Sequence, residues 1–517
     1  MLEQSEKLRE LRELKEKARQ GGDPRKAQEI HEKGRMTARE RIQHLLDPGS
    51  FTELDSLVLH QCKEFGMEST RALGDGLLTG HGKIDGRLVY VFAHDATIFG
   101  GSTGETSARK ICKIMDMAIK AGAPVIGLME SAGIRVQEGL AGLAGLGDHL
   151  FKNVIASGVI PQISAVMGPC AGPITHSSTL NDFVLMVKGD SHMFAAGPDA
   201  IESPVKQGIS LEELGGATVH CELSGVAHVL ANNETDCLRQ IRRLLSHLPS
   251  NNLEDPPRIQ SADDPRREDP ELDKVIPENP NEPYDMKEII LSIVDGHDFF
   301  EIHQSWAQNI IVGFARISGN AVGIVGNQPK ILGGALDSNA SVKAARFTRF
   351  CDAFNIPVVT LVDTPGFLPG VEGERDGIAR HGSKLLYAYS EATVPKVSVI
   401  TRKAYGAGYV VMSSKQVRGD INYAWPSAEI AVMGPQGAVR AIFSKDIYEA
   451  ANQEARVSEL TTEYRNRFAN AYVAAERGYV DDVIAPRETR PKIVDALEAL
   501  KTKRENRPPK KHGNIPL

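Results

Sequence analysis

The sequence predicts an α/β protein made of two tandem domains that descend from one duplicated ancestor. Three observations carry that expectation. Apolar, β-branched runs alternate with helix-like segments, short glycine turns join them, and the layout of the first half recurs in the second.

The clearest unit lies between Thr393 and Met412. Val397–Thr401 reads as a strand, Gly406-Ala407-Gly408 as a small-residue turn, and a helix starts directly after it. A helix start leaves backbone N–H groups unpaired at the positive end of its dipole, so it suits an anion. The stretch 157–173 has the same layout. Pro161 and Pro395 are 234 apart, and so are Gly172 and Gly406. Three further pairings share an offset of 233: Pro124 with Pro357, Gly133 with Gly366, and Gly100-Gly101 with Gly333-Gly334. Upstream, DPGSFTEL at Asp47 is echoed by DGHDFFEI at Asp295, an offset of 248. Solenoid repeats are far shorter, so two globular halves are expected.

Element by element, Glu3–Arg19 reads as a charged helix with Leu8, Leu11 and Leu14 at helical spacing, ended by Gly21-Gly22-Asp23-Pro24. TARERIQHLLDPGSFTEL gives a helix, a turn and a strand, and Leu88–Gly101 a strand running into a glycine turn. A helix over Thr106–Ala121 follows, then strand Val125–Met129, the turn Ser131-Ala132-Gly133, a helix, strand Ile163–Met167 and the Gly172 turn. Such units imply largely parallel strands. The stretch 248–284 is rich in Pro, Asp, Glu and Asn without apolar period, which marks the boundary between the halves. The domains are placed at 1–255 and 285–517, with a linker at 256–284. The basic, proline-rich tail KTKRENRPPKKHGNIPL reads as a surface strap.

Length alone would suggest about three domains, but the duplication favours two large ones. A net charge of −7 without a basic stripe argues against nucleic acid as a partner. No apolar run reaches the roughly 18 residues a membrane helix needs, and MLEQSEKLREL does not read as a signal peptide. Six cysteines without a CxxC pair point to reduced thiols, a cytoplasmic setting and no structural metal. There is no GxSxG elbow, no HExxH helix, and GGSTGE at Gly100 lacks the GK[ST] ending of a phosphate loop. What remains is two turns per half with backbone donors: Ala132-Gly133 and Gly172 in the first, Gly366 and Gly406-Ala407-Gly408 in the second. Convergent N–H groups of this kind stabilise a developing oxyanion such as a thioester enolate.

The runs ASGVIPQISAVMGPCAG, VDTPGFLPGVE, SEATVPKVSVITRKAYGAG, YAWPSAEIAVMGPQGA and KKHGNIPL resemble the carboxyltransferase subunit of biotin-dependent acyl-CoA carboxylases. That family includes the propionyl-CoA carboxylase β subunit, the central transcarboxylase subunit and the methylmalonyl-CoA decarboxylase α subunit. The likeness runs from about Lys33 to Leu517. It implies two crotonase-like domains (ClpP/crotonase superfamily) in a hexamer, a trimer of dimers. The N-terminal half of one subunit would hold acyl-CoA and the C-terminal half of its partner would hold biotin. Each substrate would pass through an enolate in its own oxyanion hole. The resemblance puts Gly133, Gly172, Gly406, Ala407 and Gly408 in catalytic roles. It puts Ala132, Ile134, Arg135, Pro173, His176, Val410, Gly100, Gly101 and Gly366 around the substrates. No Met-Lys-Met biotinylation site and no ATP loop occurs in the chain. Carboxybiotin would therefore come from a biotin carboxylase and its carrier protein, or from membrane decarboxylase subunits.

Two departures stand out. Residues 131–139 read SAGIRVQEG where the family usually has SGGARIQEG, and Pro173 falls where the family usually has glycine. Proline has no N–H to donate. It is either a first-turn proline of a helix or, with Ile134 and His176, the mark of a reshaped acyl pocket. Three functions stay open. They are transfer from carboxybiotin to a short acyl-CoA of the propionyl or acetyl type, the reverse transfer in a decarboxylase or transcarboxylase, and a catalytically impaired assembly subunit.

Overall fold

The computed structural model describes residues 2–196 and 209–517, with side chains from Ser5 onward. The chain divides into two compact units, Met1–Glu254 and Asp255–Leu517.

Among its described residues the first unit carries eight strands: β1 (Thr52–Leu54), β2 (Leu77–Ile84), β3 (Arg87–His94), β4 (Val125–Ser131), β5 (Gln162–Ala171), β6 (Phe183–Val187), β7 (His192–Phe194) and β8 (Val229–Ala231). Their order is β1-β2-β3-β4-β5-β6-β8, with β7 pairing the far end of β5. From β3 onward every pairing is parallel, as the sequence leads one to expect. The opening strands β1 to β3 are antiparallel instead. The cause is local: Asp85 and Gly86 both adopt left-handed φ (49° and 79°), the signature of a two-residue hairpin turn that reverses the chain. Every residue of β4 is buried, as a parallel strand covered on both faces must be. The helix Glu105–Ala121 supplies one cover, packing Ile111, Ile114, Met115 and Ala118 into the core, and ends at left-handed Gly122.

The second unit repeats the plan. Its strands are β9 (Phe299–Ile302), β10 (Ile310–Ile317), β11 (Asn320–Asn327), β12 (Val358–Thr364), β13 (Lys396–Tyr405), β14 (Ile421–Ala424), β15 (Glu429–Ala431) and β16 (Asp482–Val483). They pair in the same order, β9-β10-β11-β12-β13-β14-β16, with β15 on the far end of β13. Even the register irregularity is repeated, between Met129 and Ser131 in one sheet and between Val362 and Thr364 in the other.

The change of offset from 248 to 233 has a structural place. The first unit joins β1 to β2 through residues 55–76, whereas the second joins β9 to β10 through residues 303–309. These are 22 and 7 residues, and their difference of 15 equals the drop in offset.

The stretch 256–284 is irregular but not loose. Leu272 and Tyr284 are buried in the core of the second unit, and Arg316 donates to the Pro257 carbonyl at 2.7 Å. Single anchors of this kind leave no periodic trace in a sequence. The C-terminal tail lies along 387–394: Lys503 donates to the Val394 carbonyl at 3.1 Å, Arg507 to that of Ala392 at 3.2 Å, and Lys510 pairs with Glu391.

Candidate functional site

In parallel sheets, ligands bind beyond the carboxyl ends of the strands. In the first unit three backbone segments meet there. The turn Phe99–Gly101 follows β3, residues 131–135 leave β4, and Gly172 follows β5. Ala132 donates to the Gly100 carbonyl at 3.0 Å, Thr103 to that of Gly133 at 2.8 Å, and Arg135 to that of Thr103 at 2.9 Å. A Cβ on Gly133 would stand 2.9 Å from the Ala171 carbonyl, so the second and third segments touch through backbone alone.

The second unit reproduces two of these three bonds; the third has no counterpart because Pro365, 233 after Ala132, carries no N–H. Leu336 donates to the Gly366 carbonyl at 3.0 Å and Leu368 to that of Leu336 at 2.8 Å. A Cβ on Gly408 would lie 2.6 Å from the Gly366 Cα. Gly101 and Gly334 are the tight points. Both have left-handed φ, and a Cβ would fall 2.2 Å from the Glu130 carbonyl or 2.3 Å from that of Asp363.

Each predicted residue can now be placed. Gly172 is half-buried with φ 77°, and a Cβ there would meet nothing within 4 Å, so the turn faces open space. Pro173 is exposed and sits in the first turn of the short helical stretch from Gly172 to Leu180, where a missing N–H breaks no intrahelical bond. His176 is exposed on that stretch, and Ile134 is half-buried at the edge of the core. Ala407 is exposed and Gly408 buried in the first turn of the helix Gly406–Val411, with Val410 half-buried one turn on.

Two placements differ from expectation. Gly133 N–H is not open: it donates to the Ser131 hydroxyl at 3.2 Å, and Gly366 N–H does the same to Thr364, also at 3.2 Å. A small hydroxyl two residues back satisfies a tight turn locally, and this leaves the half-buried Gly172 turn, which faces open space, as the other expected donor of the first unit. Arg135 is not poised for a ligand either. It is 2% exposed and its guanidinium is bound by Asp75 at 2.6 Å and Glu138 at 2.7 Å.

Behind the turns lie charges that motif reading missed. Glu130 is buried against Arg35 (2.8 Å) and Arg41 (2.7 Å), and Asp363, 233 residues on, against Arg402 (2.9 Å). Burial pushes the Asp363 carboxyl above the usual range, with Arg402 opposing. The arginines come from different places. Gly168, which stands 234 before Arg402, leaves room for Arg35: a Cβ on it would fall 2.6 Å from that guanidinium. Lys110 and Lys343, again 233 apart, are buried on backbone carbonyls, Lys110 on Gly74 (2.8 Å) and Leu77, Lys343 on Ile310 (2.7 Å) and Trp306 (2.8 Å). The offset that exposed the glycine pairs would have found both of these pairs. Among the described residues no cluster of side chains is arranged to hold a metal, and no helix is long and apolar enough to cross a membrane.

Residues 29–515 match the carboxyl transferase domain. The chain is 54% identical to the propionyl-CoA carboxylase carboxyltransferase subunit of Haloferax mediterranei, over 99% of both chains. It is 53% identical to the methylmalonyl-CoA decarboxylase α subunit of Veillonella parvula, again over 99% of both. Against human mitochondrial propionyl-CoA carboxylase β chain the identity is 54%, over 96% of this chain and 91% of the other. The crystal structure of transcarboxylase 12S, a hexamer with methylmalonyl-CoA bound, superposes with a TM-score of 0.96 at 46% identity, covering 99% of this chain and 98% of that one.

Proposed function

This chain belongs to the carboxyl transferase family and is an acyl-CoA carboxyltransferase, and from that premise we propose that it moves a carboxyl group between biotin on a partner protein and the α-carbon of a short acyl-CoA of the propionyl/methylmalonyl type. One observation carries the proposal: the same turn arrangement is built twice, with two of its three backbone bonds repeated, at the carboxyl ends of the two sheets. The reaction has two substrates that each develop negative charge on an oxygen, and each needs its own donors.

In the first unit, the open turn at Gly172 stabilises charge on the thioester oxygen. Preorganised N–H donors are worth more there than water, because they need no reorientation as charge develops. Pro173 subtracts a donor and presents an apolar ring to the acyl group. In the second unit, Ala407 and Gly408 offer first-turn N–H groups to the ureido oxygen of biotin, and Gly408 lies against Gly366 with no room for a side chain. Biotin, when bound, carries the one-carbon unit. The residues of this chain bind and orient both partners and need no side-chain base. The carrier is a separate biotinylated subunit, and the working assembly is a hexamer like that of the transcarboxylase core. Which partner subunit binds sets the direction.

The purified protein with free biotin and methylmalonyl-CoA should release propionyl-CoA, and it should show no ATP-driven carboxylation until a biotin carboxylase and biotinylated carrier are added. Absence of any transfer with a panel of malonyl-type CoA esters would defeat the reading and favour an assembly subunit, as would biotin found covalently on this chain.

A further inference from the structure

The connection 55–76, which is 15 residues longer than its counterpart, ends in a knot of backbone. Gly74, Asp75 and Gly76 are all left-handed, with φ 78°, 54° and 71°. A non-glycine residue held there is strained, and Asp75 is fully buried as well, so the knot must be held from outside. It is. The Asp75 carboxylate accepts from Arg135 Nη1 at 2.6 Å and from the Ser107 N–H at 3.0 Å, and Lys110 holds the Gly74 carbonyl. Arg135 reaches further: Nη1 also donates to Glu138 at 2.7 Å, Nη2 donates to the Ser102 carbonyl at 3.0 Å, and the guanidinium lies 4.6 Å over the Phe99 ring. From the connection itself, buried His60 stands edge-on to the same Phe99 ring at 5.7 Å, and Cys62 Sγ donates to the Gln137 carbonyl at 3.4 Å.

One buried guanidinium thus ties the connection to both neighbouring turns, Phe99–Thr103 and residues 131–135. The second unit has no equivalent tie among the described residues. Leu368 stands 233 after Arg135, Gln308 stands 233 after Asp75, and the connection there is short.

We propose that the 55–76 connection is a brace special to the acyl-CoA half, clasped by Arg135, and that Arg135 is a positioning residue which acts on acyl-CoA through the Phe99–Thr103 turn without touching it. The proposal rests on the first unit being the acyl-CoA half. A forked guanidinium suits this role because its spread, planar donors reach Asp75, Glu138 and a carbonyl while its face lies over Phe99; a lysine ammonium donates from a single point and has no planar face.

The test uses the full-length protein and two readouts: the KM values for methylmalonyl-CoA and for free biotin, and the rate of tryptic cleavage after Lys63 and Arg71, both exposed in the connection. Arg135→Met should raise the acyl-CoA KM at least tenfold, leave the biotin KM within twofold, and speed cleavage at least tenfold. Arg135→Lys should fall between the variant and the parent on both readouts. Asp75→Asn, which keeps the shape of the knot, should move both in the same direction as Arg135→Met and replaces it if that variant does not fold. A raised acyl-CoA KM with unchanged cleavage would mean that Arg135 contacts the substrate, and the brace would be refuted. Unchanged values on both readouts would refute it too. Faster cleavage with the KM change falling on biotin would keep the brace and overturn the assignment of halves.

Discussion

The donor role proposed for Ala407 asks nothing of its side chain. The residue is exposed at the second position of the helix Gly406–Val411, where the N–H has no acceptor inside the helix. The proposed contribution is the backbone N–H alone, so the informative substitution is one that removes it. Proline is tolerated in a first helical turn, and Gly406 before it has the freedom to accommodate the ring. Ala407→Pro should lower carboxyl transfer about 10²–10³-fold, roughly 2.7–4 kcal/mol for one lost oxyanion donor. Acyl-CoA binding, followed by calorimetry, should survive. Transfer within a few-fold of the parent would show that this N–H is not a donor.

At the level of elements, the glycine pairs divide their work. Gly333 and Gly334 both have left-handed φ, 64° and 78°. A Cβ on Gly333 would meet nothing within 4 Å, whereas one on Gly334 would fall 2.3 Å from the Asp363 carbonyl. The first therefore supplies a bend, and the second lets the turn press on the strand β12. Gly333→Ala should cost about 1 kcal/mol, the strain of a left-handed alanine. Gly334→Ala should cost at least twice that, because the backbone must also move apart. Urea midpoints would separate the two, and equal losses would remove the close approach from the account.

At the scale of the molecule, the duplicated halves differ in what they bury. The first unit holds His94 and His149 without solvent contact, and burial pulls their pKa values down to about 4 and about 3. In the unfolded chain both titrate near 6.5. Below that pH the unfolded state takes up protons that the folded state refuses, so stability present above about 6.5 is lost as pH falls toward 4. Each group adds roughly 1.4 kcal/mol per pH unit inside that window. In the second unit the position 233 after His94 is Asn327, which does not titrate and bonds the Asp363 N–H at 3.2 Å. Acidification to about pH 5 should therefore melt the first unit ahead of the second. His149→Gln, which retains a partner for Ser177, should flatten the pH dependence of the first transition by about one proton. Calorimetric traces of parent and variant that stay parallel between pH 7 and 4.5 would contradict this.

The doubling was open to a reader of the chain because glycine, proline and apolar strands leave marks at fixed spacing. Gly101 and Gly334, Pro124 and Pro357, and Gly172 and Gly406 keep their register since each answers a backbone need that no other residue type meets. The α/β layout and the turns that end β4, β5, β12 and β13 follow from the same marks. Other features had no mark to read. That Gly133 N–H turns inward to Ser131 depends on one rotamer. That Arg135 is a clasp depends on Asp75, sixty residues earlier, folding back beneath it. Glu130 draws its arginines from positions 35 and 41, while Asp363 takes its own from the adjoining strand. Backbone constraints are local and therefore written in the sequence; pairings between buried charges are set by which distant segments the fold brings together, and only the tertiary structure decides them.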